Sequence, residues 1–386
     1  MKYEVFWKNP GYKVRPELET NIECDYLIVG GGVTGVSAAY FLAKSGAKNI
    51  VLVEKHQIAS GATGKAAGTL VLRGERDLLD FIDKHGQKKG ELYWQEIHEG
   101  LSGIKRVINE EKIDCDAEPQ DTLYCGFKHK VWGDLHEEYK AEKRLEKTTE
   151  LLTGDALKKE INTDYFSHGI LSANHGLSVN PLKLTQNLSK AVEKYGVKIY
   201  ENTALLEVTG DTAKTHRGDI KYKKLIWAID VDHPSSEVRN LKTTIVVTQL
   251  LTKDELAETG LAKKKIVFDA RKNENYFKVT KDGRLLFGFG GIKVNKTFRK
   301  TEPHFPHLQE LKKFMKKLFP YLKLEPEYAW TGNFGIGKDY EPFIEFKGNT
   351  VAIAGASTQV ACFMTAKHVV SKLLGQKSTL EGFFVS

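Results

Sequence analysis

The chain has 386 residues, of which 41% are hydrophobic and 28% charged, and its formal net charge is +8. This length favours two domains, and the composition is that of an ordinary globular protein in solution. No apolar stretch approaches the roughly 20 residues that span a bilayer, residues 1–9 lack the apolar core of a signal peptide, and the lysines are too dispersed for a nucleic-acid surface. We therefore expect a cytoplasmic protein without stable membrane insertion or nucleic-acid binding.

The first predicted elements form a strand–helix–strand unit. Apolar residues at 26–29 predict a strand, glycines follow at 30–32, and apolar residues recur at helical spacing over 36–43. Gly46 ends this helix, and the run at 50–53 predicts a second strand. A helix between two buried strands indicates a parallel sheet with helices packed against it.

The later elements alternate between parallel-sheet units and antiparallel signals. We predict helices at 86–112, 134–150, 181–195 and about 360–374. We predict strands at 197–200, 205–208, 224–228, 243–250, 276–279, 285–289 and 351–354. This order predicts an α/β protein in which two domains are interleaved. A discontinuous cofactor domain comprises 1–88, 155–230 and 328–386, and a mixed or antiparallel-sheet substrate domain comprises 89–154 and 231–327.

The glycine run predicts a dinucleotide cofactor. Gly30, Gly32 and Gly35 match G-x-G-x-x-G between a strand and a helix, where glycine allows a tight turn, close approach of a diphosphate and close helix packing. The free N–H groups at the helix N-terminus favour phosphate. Glu54 closes the second strand, where a carboxylate accepts hydrogen bonds from ribose hydroxyls and disfavours the 2′-phosphate of NADP.

The stretch 60–68 favours FAD over NAD. It is small and polar, and Ser60 and Thr63 offer hydroxyls to phosphate or ribityl oxygens. A plain NAD-dependent dehydrogenase has no evident need for a second such loop, whereas an extended FAD has to be held from adenine to isoalloxazine. The NAD enzyme stays an alternative that a flavin absorption spectrum would distinguish.

Taken in chain order, these motifs resemble the D-amino-acid oxidase superfamily of FAD-dependent oxidoreductases, and most of all its gamma-glutamylputrescine oxidoreductase-like and glycine and sarcosine oxidase-like members. The resemblance is also carried by residues 180–182, 196–203, 225–228, 275–277, 282–288, 330–332 and 339–342. It implies a Rossmann-like FAD-binding domain with a mixed-sheet substrate domain. It further implies hydride transfer from the carbon next to an amine nitrogen to flavin N5, with dioxygen or another acceptor reoxidising the flavin.

Two departures from this family concern the cofactor. Relatives carry more glycine in the loop that begins at Gly355, whereas Thr358 and Val360 add side chains where backbone normally faces the flavin. A shifted flavin, a reshaped pocket and weakened catalysis are all open consequences. Relatives that attach FAD covalently use a histidine where this chain has Lys65, so we expect FAD to be bound non-covalently.

The motifs and the resemblance together predict the site residues. The predicted substrate site comprises Tyr276 and Lys278, where relatives often read Tyr-x-Arg, and Lys338, since a lysine near flavin N5 can hold a water or favour dioxygen. The residues predicted to hold FAD are Gly30, Gly32, Val33, Thr34, Gly35, Glu54, Lys55, Ser60, Gly61, Ala62, Thr63, Ala67, Gly68, Leu205, Ala228, Gly355, Ser357, Thr358, Gln359 and Val360.

No metal site is predicted. The cysteines at 24, 115, 125 and 362 are scattered without Cys-x-x-Cys spacing, and the histidines at 168, 175 and 304 are interpreted as ordinary loop residues. Cys362 is interpreted as a buried helical thiol and not as a point of flavin attachment.

The sequence predicts a small-molecule amine or amino acid as substrate, and two other functions stay open. FAD-dependent oxidation of a 2-hydroxy acid or glycerol phosphate would use the same cofactor domain. A catalytically silent FAD-binding subunit of a larger assembly would account for the side chains at 358 and 360. Whether the chain forms an oligomer is also open.

Overall fold

A computed structural model describes residues 1–73, 76–127, 132–233, 235–270, 274–293, 305 and 307–383. Its helices are α1 (Val33–Lys44), α2 (Leu78–His85), α3 (Gln87–Glu110), α4 (Trp132–Leu145), α5 (Gly154–Glu160), α6 (Pro181–Glu193), α7 (Lys253–Glu258), α8 (Leu308–Leu318) and α9 (Gln359–Leu373). None of these helices is long and apolar enough to cross a membrane. His304 lies outside the described residues.

The strands fall into two sheets. They are β1 (Ile22–Val29), β2 (Ile50–Val53), β3 (Thr69–Val71), β4 (Glu118–Gly126), β5 (Thr149–Thr153), β6 (His168–Ser178), β7 (Lys198–Tyr200), β8 (Glu207–Thr209), β9 (Thr212–Lys214), β10 (Asp219–Trp227), β11 (Val238–Thr248), β12 (Lys265–Asp269), β13 (Asn275–Val279), β14 (Leu285–Phe289), β15 (Ile292–Lys293), β16 (Pro326–Gly337), β17 (Phe343–Lys347) and β18 (Thr350–Ala354).

The first sheet joins the strand–helix–strand unit to distant parts of the chain, in the order β17-β18-β10-β1-β2-β7. Strands β18, β10, β1, β2 and β7 run parallel, while β17 is antiparallel to β18. Ile28 packs with α1, α3, α6 and α9 on one face, whereas Leu27 and Val29 enter a core on the other face. Because both faces are buried, β1 and β2 end in continuous apolar runs.

The second sheet is mixed, in the order β15-β11-β14-β13-β12-β4-β6-β3, with β16 beside β11 and β5 beside β6. Strands β4 and β12 are parallel, and the other described pairs are antiparallel. On β13, Phe277 and Val279 pack towards Phe314 of α8, whereas Tyr276 lies on the opposite face beside Trp7. Because side chains alternate along β13, one face of the second sheet packs against α8 and the other face is turned towards the first sheet.

The predicted α/β class, with a parallel-sheet domain interleaved with a mixed-sheet domain, is confirmed. The sheets do not divide the chain at the predicted domain boundaries, however. Strand β6 lies within 155–230 and β16 mostly within 328–386, segments predicted to belong to the cofactor domain, yet both pair in the second sheet, as does β3. The irregular pairing of β6 with β4 explains why its sequence lacks a clean strand alternation.

Candidate active site

A cavity of about 1720 Å³ lies between the two sheets. One end is formed by Val29 and Val53 at the carboxyl ends of β1 and β2, and the other by residues of β11, β13 and β16 such as Thr243, Tyr276 and Thr331. Drug-sized ligands occupy pockets of about 300–1,000 Å³. This cavity therefore has room for an extended dinucleotide together with a substrate.

The glycine turn between β1 and α1 lines one end of the cavity. Gly30 has a φ of 111°, and a Cβ there would lie 2.3 Å from the carbonyl oxygen of Ala228. A Cβ on Gly35 would lie 1.9 Å from the carbonyl oxygen of Gly30, so this glycine allows α1 to pack closely and lies behind the cavity wall. Residues 32–34 line the cavity at the N-terminus of α1, where N–H groups and the helix dipole favour an anion.

Glu54 lies just after β2 and lines the cavity. Its carboxylate accepts hydrogen bonds from the backbone N–H groups of Gly31 at 2.7 Å and His56 at 2.9 Å. These contacts orient the side chain, and each oxygen keeps a further lone pair for a hydroxyl donor. The neighbouring Lys55 forms an ion pair with Asp232 across the same end of the cavity.

The stretch 60–68 forms a loop along the cavity wall. The indole N–H of Trp330 donates to the carbonyl oxygen of Lys65, and that of Trp7 to the carbonyl oxygen of Ala66, each at 2.7 Å. The Thr63 hydroxyl accepts a hydrogen bond of 3.0 Å from the first backbone N–H of α1. The loop is thus held by aromatic side chains on one side and tied to the glycine turn on the other.

The N-terminus of α9 also lies at the cavity. Thr358 is the N-cap of this helix, and its hydroxyl accepts a hydrogen bond of 3.1 Å from a backbone N–H of the first turn. Val360 is only 1% exposed and packs in the helical core, with Cγ1 3.1 Å from the position of a Cβ on Gly100 of α3. The side chains at 358 and 360 therefore cap the helix and fill its core, and Val360 does not line the cavity.

Gln359, between Thr358 and Val360, lines the cavity and is only 8% exposed. Neither the nitrogen nor the oxygen of its side-chain amide has a hydrogen-bond partner within the described residues. Leaving a buried polar group unsatisfied costs about 1–3 kcal/mol. Gln359 thus marks a position at which a polar ligand group would be stabilising.

Asp230 is a cavity residue that the sequence analysis missed. It follows β10 with a φ of 46°, and its carboxylate accepts hydrogen bonds from the backbone N–H groups of Gly335 at 2.8 Å and Gly355 at 3.1 Å. Burial raises the pKa of this carboxyl, although the hydrogen bonds oppose the rise. The side chain ties β10, β16 and the loop before α9 together, and its signal in the sequence is an acidic residue directly after an apolar strand.

Most residues predicted to hold FAD share this one cavity. It is lined by Gly30, Gly32, Val33, Thr34, Glu54, Lys55, Ser60, Gly61, Ala62, Thr63, Ala67, Gly68, Leu205, Ala228, Ser357, Thr358 and Gln359. Gly35, Gly355 and Val360 are not among the lining residues. Their contact with a cofactor stays a prediction, and the structure gives them packing and turn roles.

The three residues predicted for the substrate site lie in different surroundings. Tyr276 lines the cavity from β13. Lys278, on the same strand, is fully buried and is not a lining residue, and burial lowers the pKa of its ammonium group to about 7. The side chain of Lys338 is 74% exposed, lies 3.9 Å from Glu237 and is also outside the lining.

Three arginines line the cavity and none was predicted from the sequence; Arg73 is paired with acidic residues of α4 and with Asp77, whereas Arg76 and Arg239 lie beside Tyr340. The guanidinium carbons of Arg76 and Arg239 lie 5.5 Å and 5.0 Å from the ring centre of Tyr340, and all three side chains line the cavity. The Nε atoms of both arginines are buried and make no hydrogen bond within the described residues. Their guanidinium groups place two positive charges in the lining beside Tyr340, and guanidinium groups bind carboxylate and phosphate.

These residues fit a bound FAD. Gly32 and Glu54 both line the cavity, a Cβ on Gly32 would lie 3.2 Å from the Thr63 hydroxyl, and the orphaned amide of Gln359 lies at the N-terminus of α9. FAD needs contacts of these three kinds for its diphosphate, its ribose and its polar flavin edge. The cavity has further space beside Tyr276 for a second molecule.

Comparison with known proteins agrees with this geometry. The sequence profile of the family "DAO: FAD dependent oxidoreductase" matches residues 25–370. Gamma-glutamylputrescine oxidoreductase of Escherichia coli is 30% identical over 372 residues, which cover 92% of this chain and 85% of that protein.

Solved structures show the same fold. Glycine oxidase from Geobacillus kaustophilus matches with a TM-score of 0.79 and 18% identity, over 94% of this chain and 98% of that chain. L-alpha-glycerophosphate oxidase from Mycoplasma pneumoniae, solved with FAD bound, matches with a TM-score of 0.71 and 18% identity, over 92% of this chain and 96% of that one. At such identities these similarities establish the architecture and leave the substrate open.

Proposed function

Because the chain belongs to the DAO family of FAD-dependent oxidoreductases, we propose that it oxidises an amine whose skeleton also carries a carboxylate. FAD is the cofactor of this enzyme family. The observation that carries the choice of substrate is the pair Arg76 and Arg239, which line the cavity beside the same tyrosine, Tyr340. The name of the Escherichia coli relative supports this substrate class, because gamma-glutamylputrescine contains both amines and a carboxylate.

The cofactor would be held by backbone groups more than by charged side chains. We assign the diphosphate to the N-terminus of α1 and the glycine turn, and the adenosine ribose to Glu54. The loop 60–68 would follow the ribityl chain, and Gln359 with the N-terminus of α9 would hydrogen-bond the polar edge of the flavin. With Lys65 in place of a histidine, attachment is proposed to be non-covalent.

The substrate would lie between the two sheets, beside Tyr276. Arg76 and Arg239 would pair with its carboxylate, and the aromatic ring of Tyr340, which is close to both guanidinium groups, would hold them in place. Anchoring the carboxylate fixes the position of the amine-bearing carbon, which reduces the entropy that the reaction has to overcome.

The chemistry that FAD supplies is acceptance of a hydride from the carbon next to the substrate nitrogen, after which the imine product hydrolyses and dioxygen or another acceptor takes the electrons. The chain's own contribution is electrostatic and steric. The helix dipole of α9 favours negative charge at its N-terminus, where Ser357 and Gln359 line the cavity. Asp230 holds the backbone of Gly355 in the conformation that starts this helix.

An anaerobic reduction assay tests the proposal. The purified FAD-loaded protein is mixed with gamma-glutamylputrescine, glycine, sarcosine and putrescine, and loss of flavin absorbance is recorded. We expect amines with a carboxylate to reduce the flavin faster than putrescine, which has none. Failure of every primary and secondary amine to bleach the flavin would overturn amine oxidation.

A second candidate rests on the same two arginines, because guanidinium groups bind phosphate as well as carboxylate. Reduction of the flavin by glycerol phosphate or a 2-hydroxy acid, but by no amine, would favour this alternative. Bound FAD that no tested compound reduces would favour the catalytically silent subunit.

A further inference from the structure

Away from the cavity, three side chains of the kinds that bind transition metals converge. His98 lies on α3, Glu146 directly follows α4, and His175 lies on β6. Nε2 of His98 is 3.1 Å from one carboxylate oxygen of Glu146, and Nε2 of His175 is 3.6 Å from the other. The three ligand atoms all lie within 4.8 Å of one another.

We propose that His98, Glu146 and His175 bind a divalent transition-metal ion, with Zn²⁺ as the best-matched ion. Zinc bonds to imidazole nitrogen and carboxylate oxygen are about 2.0–2.2 Å long, so a tetrahedral ion holds its ligand atoms about 3.3–3.5 Å apart. The separations of 3.1 Å and 3.6 Å, which involve the two different oxygens of the Glu146 carboxylate, lie on either side of this range. Two histidines and a glutamate are also a known zinc ligand set that leaves a fourth position for water.

The orientation of His98 supports a shared ion over a simple ion pair. Its Nε2 is buried and makes no hydrogen bond within the described residues, although an oxygen of Glu146 is 3.1 Å away. A nitrogen that donated a proton to the carboxylate would point at it, whereas a nitrogen that ligates an ion points its lone pair at the space between the ligands. The rings of His98 and His175 are 5.0 Å apart and nearly perpendicular, at 89°.

The three side chains are partly accessible to an ion from solvent. The ligand side chains are 25%, 27% and 12% exposed in the order His98, Glu146 and His175, which leaves an opening for the ion. Lys105 and Arg73 place positive charge nearby, whereas Glu142 adds negative charge beside Glu146.

The site would join the helical core to the second sheet. Helix α3 packs with the helices of the first sheet, while β6 belongs to the second. The ligands are far apart in the sequence, so no short histidine or cysteine motif indicates the site. This position is separate from the cavity, since none of the three ligands lines it.

Metal binding is tested on the FAD-loaded full chain after dialysis against EDTA. Calorimetric titration with Zn²⁺ should give one ion per chain, and a crystal soaked in Zn²⁺ should show an anomalous peak between the three ligand atoms. Substitution of residues that only hydrogen-bond a metal ligand weakens metal binding by about 10–100-fold. Loss of a ligand itself should cost more, so His98→Ala or Glu146→Gln should weaken binding by at least about 100-fold. The matched control is His216→Ala, which removes an exposed histidine and should leave the affinity unchanged.

Flavin absorbance and the metal-free melting temperature report whether each variant is folded. Glu146→Gln keeps the shape of the side chain, so it decides the question even if His98→Ala fails to fold. The proposal is overturned if the wild type binds no stoichiometric Zn²⁺, if Glu146→Gln binds as tightly as the wild type, or if the anomalous peak lies elsewhere.

Discussion

The ammonium group of Lys278 donates a hydrogen bond of 2.6 Å to the carbonyl oxygen of Gly68. It also donates to the Ser178 hydroxyl at 2.8 Å, and it lies 5.4 Å from the ring centre of Trp7. Gly68 has a φ of 67°, and a Cβ there would lie 2.1 Å from the carbonyl oxygen of Val179. A buried lysine of the second sheet therefore holds the end of the loop that lines the cavity.

This contact predicts that Lys278 acts on cofactor binding more than on substrate binding. In Lys278→Met the carbonyl of Gly68 loses a charged donor, and hydrogen bonds to charged groups contribute about 1.5–3 kcal/mol. We expect FAD affinity, measured by quenching of FAD fluorescence at pH 6, where the ammonium group is protonated, to fall by about 10–100-fold. Lys281→Met, at a 60% exposed lysine of the same hairpin, should bind FAD like the wild type. Unchanged FAD affinity with a raised KM would instead make Lys278 a substrate residue.

The buried ammonium of Lys278 also predicts a pH dependence of stability. Burial lowers its pKa from 10.5 to about 7, so between these values the unfolded chain binds a proton that the folded chain has lost. Raising the pH through this window therefore stabilises the wild type relative to Lys278→Met, by at most about 1.4 kcal/mol per pH unit. Urea unfolding of both proteins from pH 6 to pH 10 measures the difference, which should be flat below about pH 7. A difference that shrinks with rising pH would contradict the buried, destabilised charge.

Arg239 is expected to determine which amines are used. Arg239→Gln removes a guanidinium group from the cavity, so KM for gamma-glutamylputrescine should rise by about 10–100-fold. KM for putrescine, which has no carboxylate, should change much less. Steady-state kinetics with both compounds give the comparison, and Arg217→Gln, at a 57% exposed arginine, is the matched control. Equal losses for both amines would show that Arg239 does not recognise the carboxylate.

The sequence predicted the lining of the cavity near the glycine turn better than the lining near Tyr276. Local rules sufficed for Gly30 and Glu54, because a strand, a turn and a helix adjacent in the chain place them. Arg76 and Arg239 lie on segments far apart in the sequence, and only the packing of the two sheets brings them to the same tyrosine. Lys278 was predicted on the correct strand. The loop that separates it from the cavity comes from a distant part of the sequence, so the separation could not be predicted from local patterns.

The fold was predictable where apolar runs are buried on both faces or follow helical spacing. The elements at 26–29, 50–53 and 181–195 correspond to β1, β2 and α6. Strand β16 was missed because its glycines and polar residues hide the alternation, and its assignment depends on pairing with β11. The predicted strand at 205–208 overlaps β8 by only half, because β8 begins at Glu207.

Gly30→Ala should prevent assembly of the holoenzyme. The added Cβ would lie 2.3 Å from the carbonyl oxygen of Ala228, a backbone atom that cannot move away without disturbing β10, and the φ of 111° strains any other residue. We expect purified protein without flavin absorbance. Gly11→Ala is the control, since a Cβ there has nothing within 4 Å, and it should retain FAD. A yellow, fully loaded Gly30→Ala protein would show that the turn relaxes.

The side chains at 358 and 360 should respond differently to glycine. Thr358→Gly loses an N-cap hydroxyl, and glycine at an N-cap costs only a few tenths of a kcal/mol, roughly 0.3. Val360→Gly leaves a cavity beside α3 and adds glycine to a helix, so the free energy of unfolding should fall by about 2–4 kcal/mol. Urea denaturation of both variants, with flavin reduction rates measured alongside, separates a packing role from a catalytic one. If Val360→Gly were as stable as the wild type and oxidised amines faster, the valine would be an obstacle to catalysis, and the packing role assigned to it would be wrong.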